Sequence, residues 1–85
     1  MARSKLLQAA GKVIVQLRKE KGLTQEIVAF DLDLDRHYMS DIELGKRNYS
    51  IGILQRICDY YNISLGDFFI KVEDYQEKEE LGCTA

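Results

Sequence analysis

LTQEIVAFDLDLDRHYMSDIELG, residues Leu23 to Gly45, holds two short helical patterns joined by a tight acidic turn. Thr24 is the first residue able to cap free N–H groups, and Gln25 and Glu26 follow it in a first turn with Ile27, Val28 and Ala29 directed inward. The alternation Asp31-Leu32-Asp33-Leu34 is too short for a strand and has no partner strand elsewhere. Asp tolerates the left-handed backbone of a turn, so the segment predicts a turn. Asp35 then caps the second pattern, in which Met39 and Ile42 face inward and Arg36, His37, Ser40 and Asp41 face outward, until Gly45 stops it.

Helical spacing continues on both sides. Leu6, Leu7, Ala10, Val13, Ile14 and Leu17 form one stripe between a Ser4 cap and Gly22, which follows a basic last turn. After the polar loop Lys46-Arg47-Asn48-Tyr49, Ser50 caps a helix through Tyr61 with Ile51, Leu54, Ile57 and Cys58 on its inner stripe. Asn62 closes that helix, and Ser64 caps a short fifth one carrying Leu65, Phe68 and Phe69. Beyond Val72 the composition turns acidic and poor in apolar residues. The fold expected is therefore all-α, with five helices in residues 1–72 and a flexible acidic tail over 73–85.

With 85 residues, 46% of them hydrophobic, there is material for one small core. No apolar run approaches the roughly 18 residues of a membrane span, which gives the expectation of a cytoplasmic protein. Cys58 and Cys83 have no second Cys or His at ligand spacing, so neither is expected to hold a metal. A single His, no clustered carboxylates on a cleft-forming scaffold and no Gly-rich phosphate loop argue against an enzyme, a cofactor or a small-molecule ligand. The net charge of −2 hides an uneven distribution: residues 1–24 carry +5, 25–45 carry −5, 46–71 carry +2 and 72–85 carry −4. Positive charge thus flanks the central segment on both sides, and much of the acidic excess sits in the tail, so DNA remains an admissible partner.

Two helices joined by a short turn hold the second one proud of the surface, as entry into the DNA major groove requires. The spelling LRKEKGLTQE, LDRHYMSDIELGKRNYS and YNISLGDFF closely resembles the Xre/Cro/C1-type helix-turn-helix family, the lambda-repressor-like fold, over roughly Gly11 to Phe69. Within that family LDRHYMSDIELGKRN most resembles the restriction–modification controller proteins, small autoregulatory dimers. The resemblance implies a sequence-specific transcriptional regulator that binds a pseudo-palindromic operator in double-stranded DNA as a homodimer. It further implies that Gln25 bonds a phosphate and braces the recognition helix, and that Arg36, His37, Ser40 and Asp41 read bases. Lys46, Arg47 and Asn48 would grip phosphates, and Arg18 and Glu43 would form an interior ion pair. At the turn position where this family commonly has Gly, the chain has Asp33.

The chemistry agrees with these placements. An Arg at the start of a helix can present its guanidinium fork to guanine O6 and N7. His37 can donate to a base or phosphate, and Tyr38 can pack its ring while its hydroxyl reaches a phosphate. Asp31, Asp33, Asp35, Asp41 and Glu43 are unfavourable near DNA; capping accounts for Asp35 and internal pairing for Glu43, while Asp41 must accept from a cytosine N4 amine or repel the groove. Ile63, Leu65, Phe68, Phe69, Ile70 and Val72 are more apolar than a short terminal helix needs, which predicts part of a dimer interface. The alternative is a protein-binding or antitoxin-like module that keeps the fold and docks through its acidic tail.

Overall fold

A computed structural model describes residues 4–84. Among them are five α-helices: α1 Lys5–Glu20, α2 Gln25–Asp31, α3 Arg36–Leu44, α4 Ile51–Tyr60 and α5 Leu65–Thr84. Every start is a side-chain cap. Ser4, Thr24 and Ser50 accept from the N–H three residues on, Asp35 accepts from His37 N–H at 2.7 Å, and Ser64 accepts from Asp67 N–H at 3.0 Å. Each of these bonds satisfies an N–H that the helix itself leaves unpaired.

The first four helices also stop alike. Gly22, Asp33, Gly45 and Asn62 have φ values of 68°, 56°, 72° and 57°. The N–H of the next residue bonds back to the carbonyl five positions earlier, as Leu23 to Arg18, Leu34 to Ala29, Lys46 to Asp41 and Ile63 to Cys58. At three of these stops an apolar Leu23, Leu34 or Ile63 then packs on the core, and the next cap follows at once. The exception is α3, whose stop is followed by the four-residue run Lys46 to Tyr49 before the next cap. The longest polar link in the domain is therefore the one beside the outward face of α3.

α1 packs across both α3 and α5, α2 packs on α3, and α4 on α5. Val13, Ile14, Val28, Met39, Ile42, Ile57, Cys58, Phe68 and Val72 are fully buried between them. The α1–α3 crossing is tight. A β-carbon on Gly11 would lie 2.3 Å from the carbonyl oxygen of Glu43, so Gly inside α1 is required by the approach of the two backbones.

The structure differs from the sequence expectations in several places. α5 is not short: it runs through residues 73–84, with Val72 buried and Tyr75 packed on the core at the start of that stretch. Phe68 and Val72, expected at a dimer interface, are 0% exposed within the subunit and have no surface to offer a partner. Ile51 and Leu6 are 67% and 50% exposed and, instead of entering the core, line a shallow open depression with Leu7, Leu54 and Phe69 at the starts of α1 and α4. Ile27 is likewise exposed. Among the described residues no helix is long and apolar enough to cross a membrane. The side chain of Cys83 lies outside the described ones.

Candidate nucleic-acid interface

The outward face of α3 rests on a rigid support. Met39, Ile42 and Glu43 are its buried side, the first two by apolar packing and the third by charge. Arg18 meets the Glu43 carboxylate with both prongs of its fork, Nε to Oε2 at 2.9 Å and Nη2 to Oε1 at 3.1 Å, and its Nη1 caps the Leu23 carbonyl at 3.0 Å. The hydrogen bond to Glu43 holds the Arg18 pKa above its ordinary value. Gln25 completes the set, donating from Nε2 to Glu43 Oε1 at 2.8 Å. The bracing expected of Gln25 thus runs through Glu43, and its amide nitrogen is engaged inside the protein.

The turn between α2 and α3 is fastened from the other side by α4. Arg56 donates to the Leu32 carbonyl, and Tyr60 donates from its hydroxyl to Asp31 Oδ2 at 2.6 Å. The bond to Asp31 raises the Tyr60 pKa, because it favours the protonated phenol. Neither residue stood out in the sequence. Their only signal was a basic and a phenolic side chain four apart on α4, off its apolar stripe.

On this support the candidate readers gather. Gln25, Asp35, Arg36, His37 and Ser40 line one open depression at the start of α3. Arg36 and His37 are exposed; Arg36 Nη1 stands 3.7 Å from Glu26 Oε1, a loose pair at side-chain exposures of 65% and 69% that leaves the guanidinium available. One turn on, Asp41 Oδ2 accepts from Arg47 Nη2 at 3.3 Å, and the Arg47 guanidinium lies 4.8 Å over the ring of half-buried Tyr38. Lys46 and Asn48 are exposed on the same loop.

Most of the acidic block is already matched inside the subunit. Glu43 is held by Arg18, Asp41 by Arg47, Asp31 by Tyr60 and Asp35 by the α3 N-terminus, while Asp33 supplies the left-handed turn residue. Among the described residues, those that project around α3 without a close partner are His37, Lys46 and Asn48, with Arg36 only loosely engaged, and the exposed Asp33 carboxylate on the preceding turn is the one acidic group left among them. Such a surface suits a polyanion with readable edges.

Comparison with known proteins agrees with this geometry. Residues 11–73 match the family model described as a helix-turn-helix domain. Control protein C.MunI from Mycoplasma sp is 45% identical over 64 residues, spanning 74% of this chain and 86% of that protein. Control protein C.BamHI from Bacillus amyloliquefaciens is 44% identical over 72 residues, spanning 81% and 89%. Among solved structures, the wild-type restriction–modification controller protein C.Esp1396I superposes with a TM-score of 0.76 at 39% identity, over 85% of this chain and 92% of that one. The same controller, as a tetramer in complex with its natural 35-base-pair operator, superposes with a TM-score of 0.75 at 39% identity, over 85% and 95%.

Proposed function

Because this chain belongs to the Xre/Cro/C1-type helix-turn-helix family, in its branch of restriction–modification controller proteins, we propose that it is a sequence-specific DNA-binding transcriptional regulator. It binds a pseudo-palindromic operator as a homodimer and acts in the cytoplasm, where the DNA is. The observation that carries this reading is the outward polar face of α3, held on Glu43 and bordered by the basic loop at Lys46 and Arg47.

In this reading α3 enters the major groove. Arg36 offers its fork to guanine, His37 and Ser40 contact adjacent edges, and Asp41 meets a cytosine amine. Tyr38, Lys46, Arg47 and Asn48 contact phosphates and fix register, which supplies sequence-independent affinity. Gln25, braced on Glu43 at the edge of the same depression, bonds a phosphate. Two subunits place their recognition helices about 34 Å apart, one turn of DNA, and pairing multiplies the modest affinity of one subunit. Ile63, Leu65, Phe69 and Ile70 retain accessible surface for that pairing.

Selection of duplexes from a random pool by the full chain tests this. The expected product is a motif of two related half-sites one helical turn apart. Failure to enrich any sequence would sink the DNA reading and favour the protein-binding, antitoxin-like alternative.

A further inference from the structure

We propose that Asp41 is a specificity gate, holding Arg47 back from the phosphate backbone until a base amine takes the place of Arg47 at its carboxylate. The proposal rests on α3 being the recognition helix and adds a rule for how reading and gripping are coupled.

The geometry brings the two functions into contact. Asp41 lies four residues after His37, on the reading face of α3, while Arg47 belongs to the loop beyond its end. Gly45, at φ 72°, reverses the chain, and Lys46 N–H bonds back to the Asp41 carbonyl at 2.9 Å. That reversal returns Arg47 over the helix it has just left. Two contacts then keep it there, the 3.3 Å pair with Asp41 and the cation–π contact at 4.8 Å from the Tyr38 ring centroid. A guanidinium held over Tyr38 and against Asp41 is not extended toward a phosphate.

A carboxylate on a reading face would ordinarily repel DNA, so its presence needs a compensating partner. In the free protein Arg47 is that partner. In the groove a cytosine N4 amine can replace it, since C presents a donor where G and T present acceptors, and the N7 acceptor of A lies beside its amine. With the amine on Asp41, Arg47 is released to a phosphate and a second favourable contact is gained. Opposite G or T the exchange leaves the carboxylate facing an acceptor, and opposite A the amine comes with the N7 acceptor beside it, so Arg47 stays and the phosphate contact is lost. One base pair thereby decides two contacts. The side chains of the pair are 49% and 32% exposed, and such pairs are weak, so the gate opens readily and its effect is a few-fold.

Fluorescence anisotropy of the full chain on the duplex it selects, on that duplex changed at single pairs, and on a scrambled duplex tests the gate as salt is varied. Asp41→Ala is expected to bind the scrambled duplex several-fold tighter, with a salt slope steeper by about one unit, and to lose its preference for C at one position. Adding Arg47→Ala should abolish the gain on scrambled DNA. Unchanged scrambled binding in Asp41→Ala, or a gain that persists without Arg47, overturns the gate while leaving the DNA reading intact. No binding of the parent protein to any duplex overturns both.

Discussion

Gln25, the first residue of α2, and Glu43, near the end of α3, are joined by a 2.8 Å hydrogen bond inside the domain. Glu43 also holds Arg18, so one carboxylate ties α1, α2 and α3 together with its side chain only 3% exposed. Removing it strands Arg18 and Gln25. Glu43→Ala is expected to cost about 3–5 kcal/mol in urea unfolding, and Arg18→Met with Glu43→Leu to recover most of that loss, because burying no charge avoids the desolvation cost altogether.

The tight crossing makes Gly11 the most sensitive glycine in a helix. A methyl group there meets the Glu43 carbonyl, which is backbone and cannot swing aside. Gly11→Ala should lower stability by about 3 kcal/mol, or roughly 15 °C in Tm by calorimetry. Gly52→Ala is the control. Its β-carbon would meet only Ser50 Oγ at 3.6 Å, so it should raise Tm slightly.

Burial pushes the phenols of Tyr49 and Tyr61 up to about 12. Both are neutral in the folded protein at pH values where the unfolded chain, with phenols near 10, is already ionised. Stability is therefore intact below pH about 10 and falls as pH rises toward 12. The Tyr61 hydroxyl is also buried without a hydrogen-bond partner among the described residues. Tyr61→Phe should stabilise the protein by about 1 kcal/mol at neutral pH and move its alkaline unfolding midpoint upward, as followed by circular dichroism.

Base reading and phosphate grip are separable at Arg36 and Lys46. Arg36→Ala should weaken binding to the selected operator by about 1–3 kcal/mol and relax the preference at one pair, with scrambled DNA little affected. Lys46→Ala should weaken both duplexes alike and flatten the salt slope by about one unit. Equal losses on both duplexes for Arg36→Ala would remove it from the reading face.

Pairing and folding are separable on α5. Ile70 is 56% exposed and Phe68 not at all. Ile70→Glu is expected to give a folded monomer in sedimentation velocity at tens of micromolar, where the parent sediments as a dimer. Phe68→Ala instead should cost about 3–5 kcal/mol of stability. A dimeric Ile70→Glu would move the interface elsewhere.

Helix starts and stops were legible in the chain because they depend on one residue each: Thr24, Asp35, Ser50 and Ser64 cap by their own side chains, and Gly22, Asp33, Gly45 and Asn62 supply the left-handed backbone. The helical continuation of α5 does not show in a count of apolar residues. EDYQEKEE is rich in strong helix formers, and Val72 and Tyr75 anchor its start. Apolar content likewise marks Phe68 and Val72 as buried without saying whether by their own subunit or another. Arg56 and Tyr60 were invisible because their acceptors, the Leu32 carbonyl and the Asp31 carboxylate, are 24 and 29 residues away in the chain. Asp41 was undecidable for the same reason, since its partner is brought to it only by the reversal at Gly45.

α3 divides cleanly between Met39, Ile42 and Glu43, which face the domain, and Arg36, His37, Ser40 and Asp41, which do not. Retargeting the protein to new operators thus becomes a problem of four exchangeable letters on a fixed chassis. Variants altered only at those letters should share one melting curve while differing in the DNA they choose.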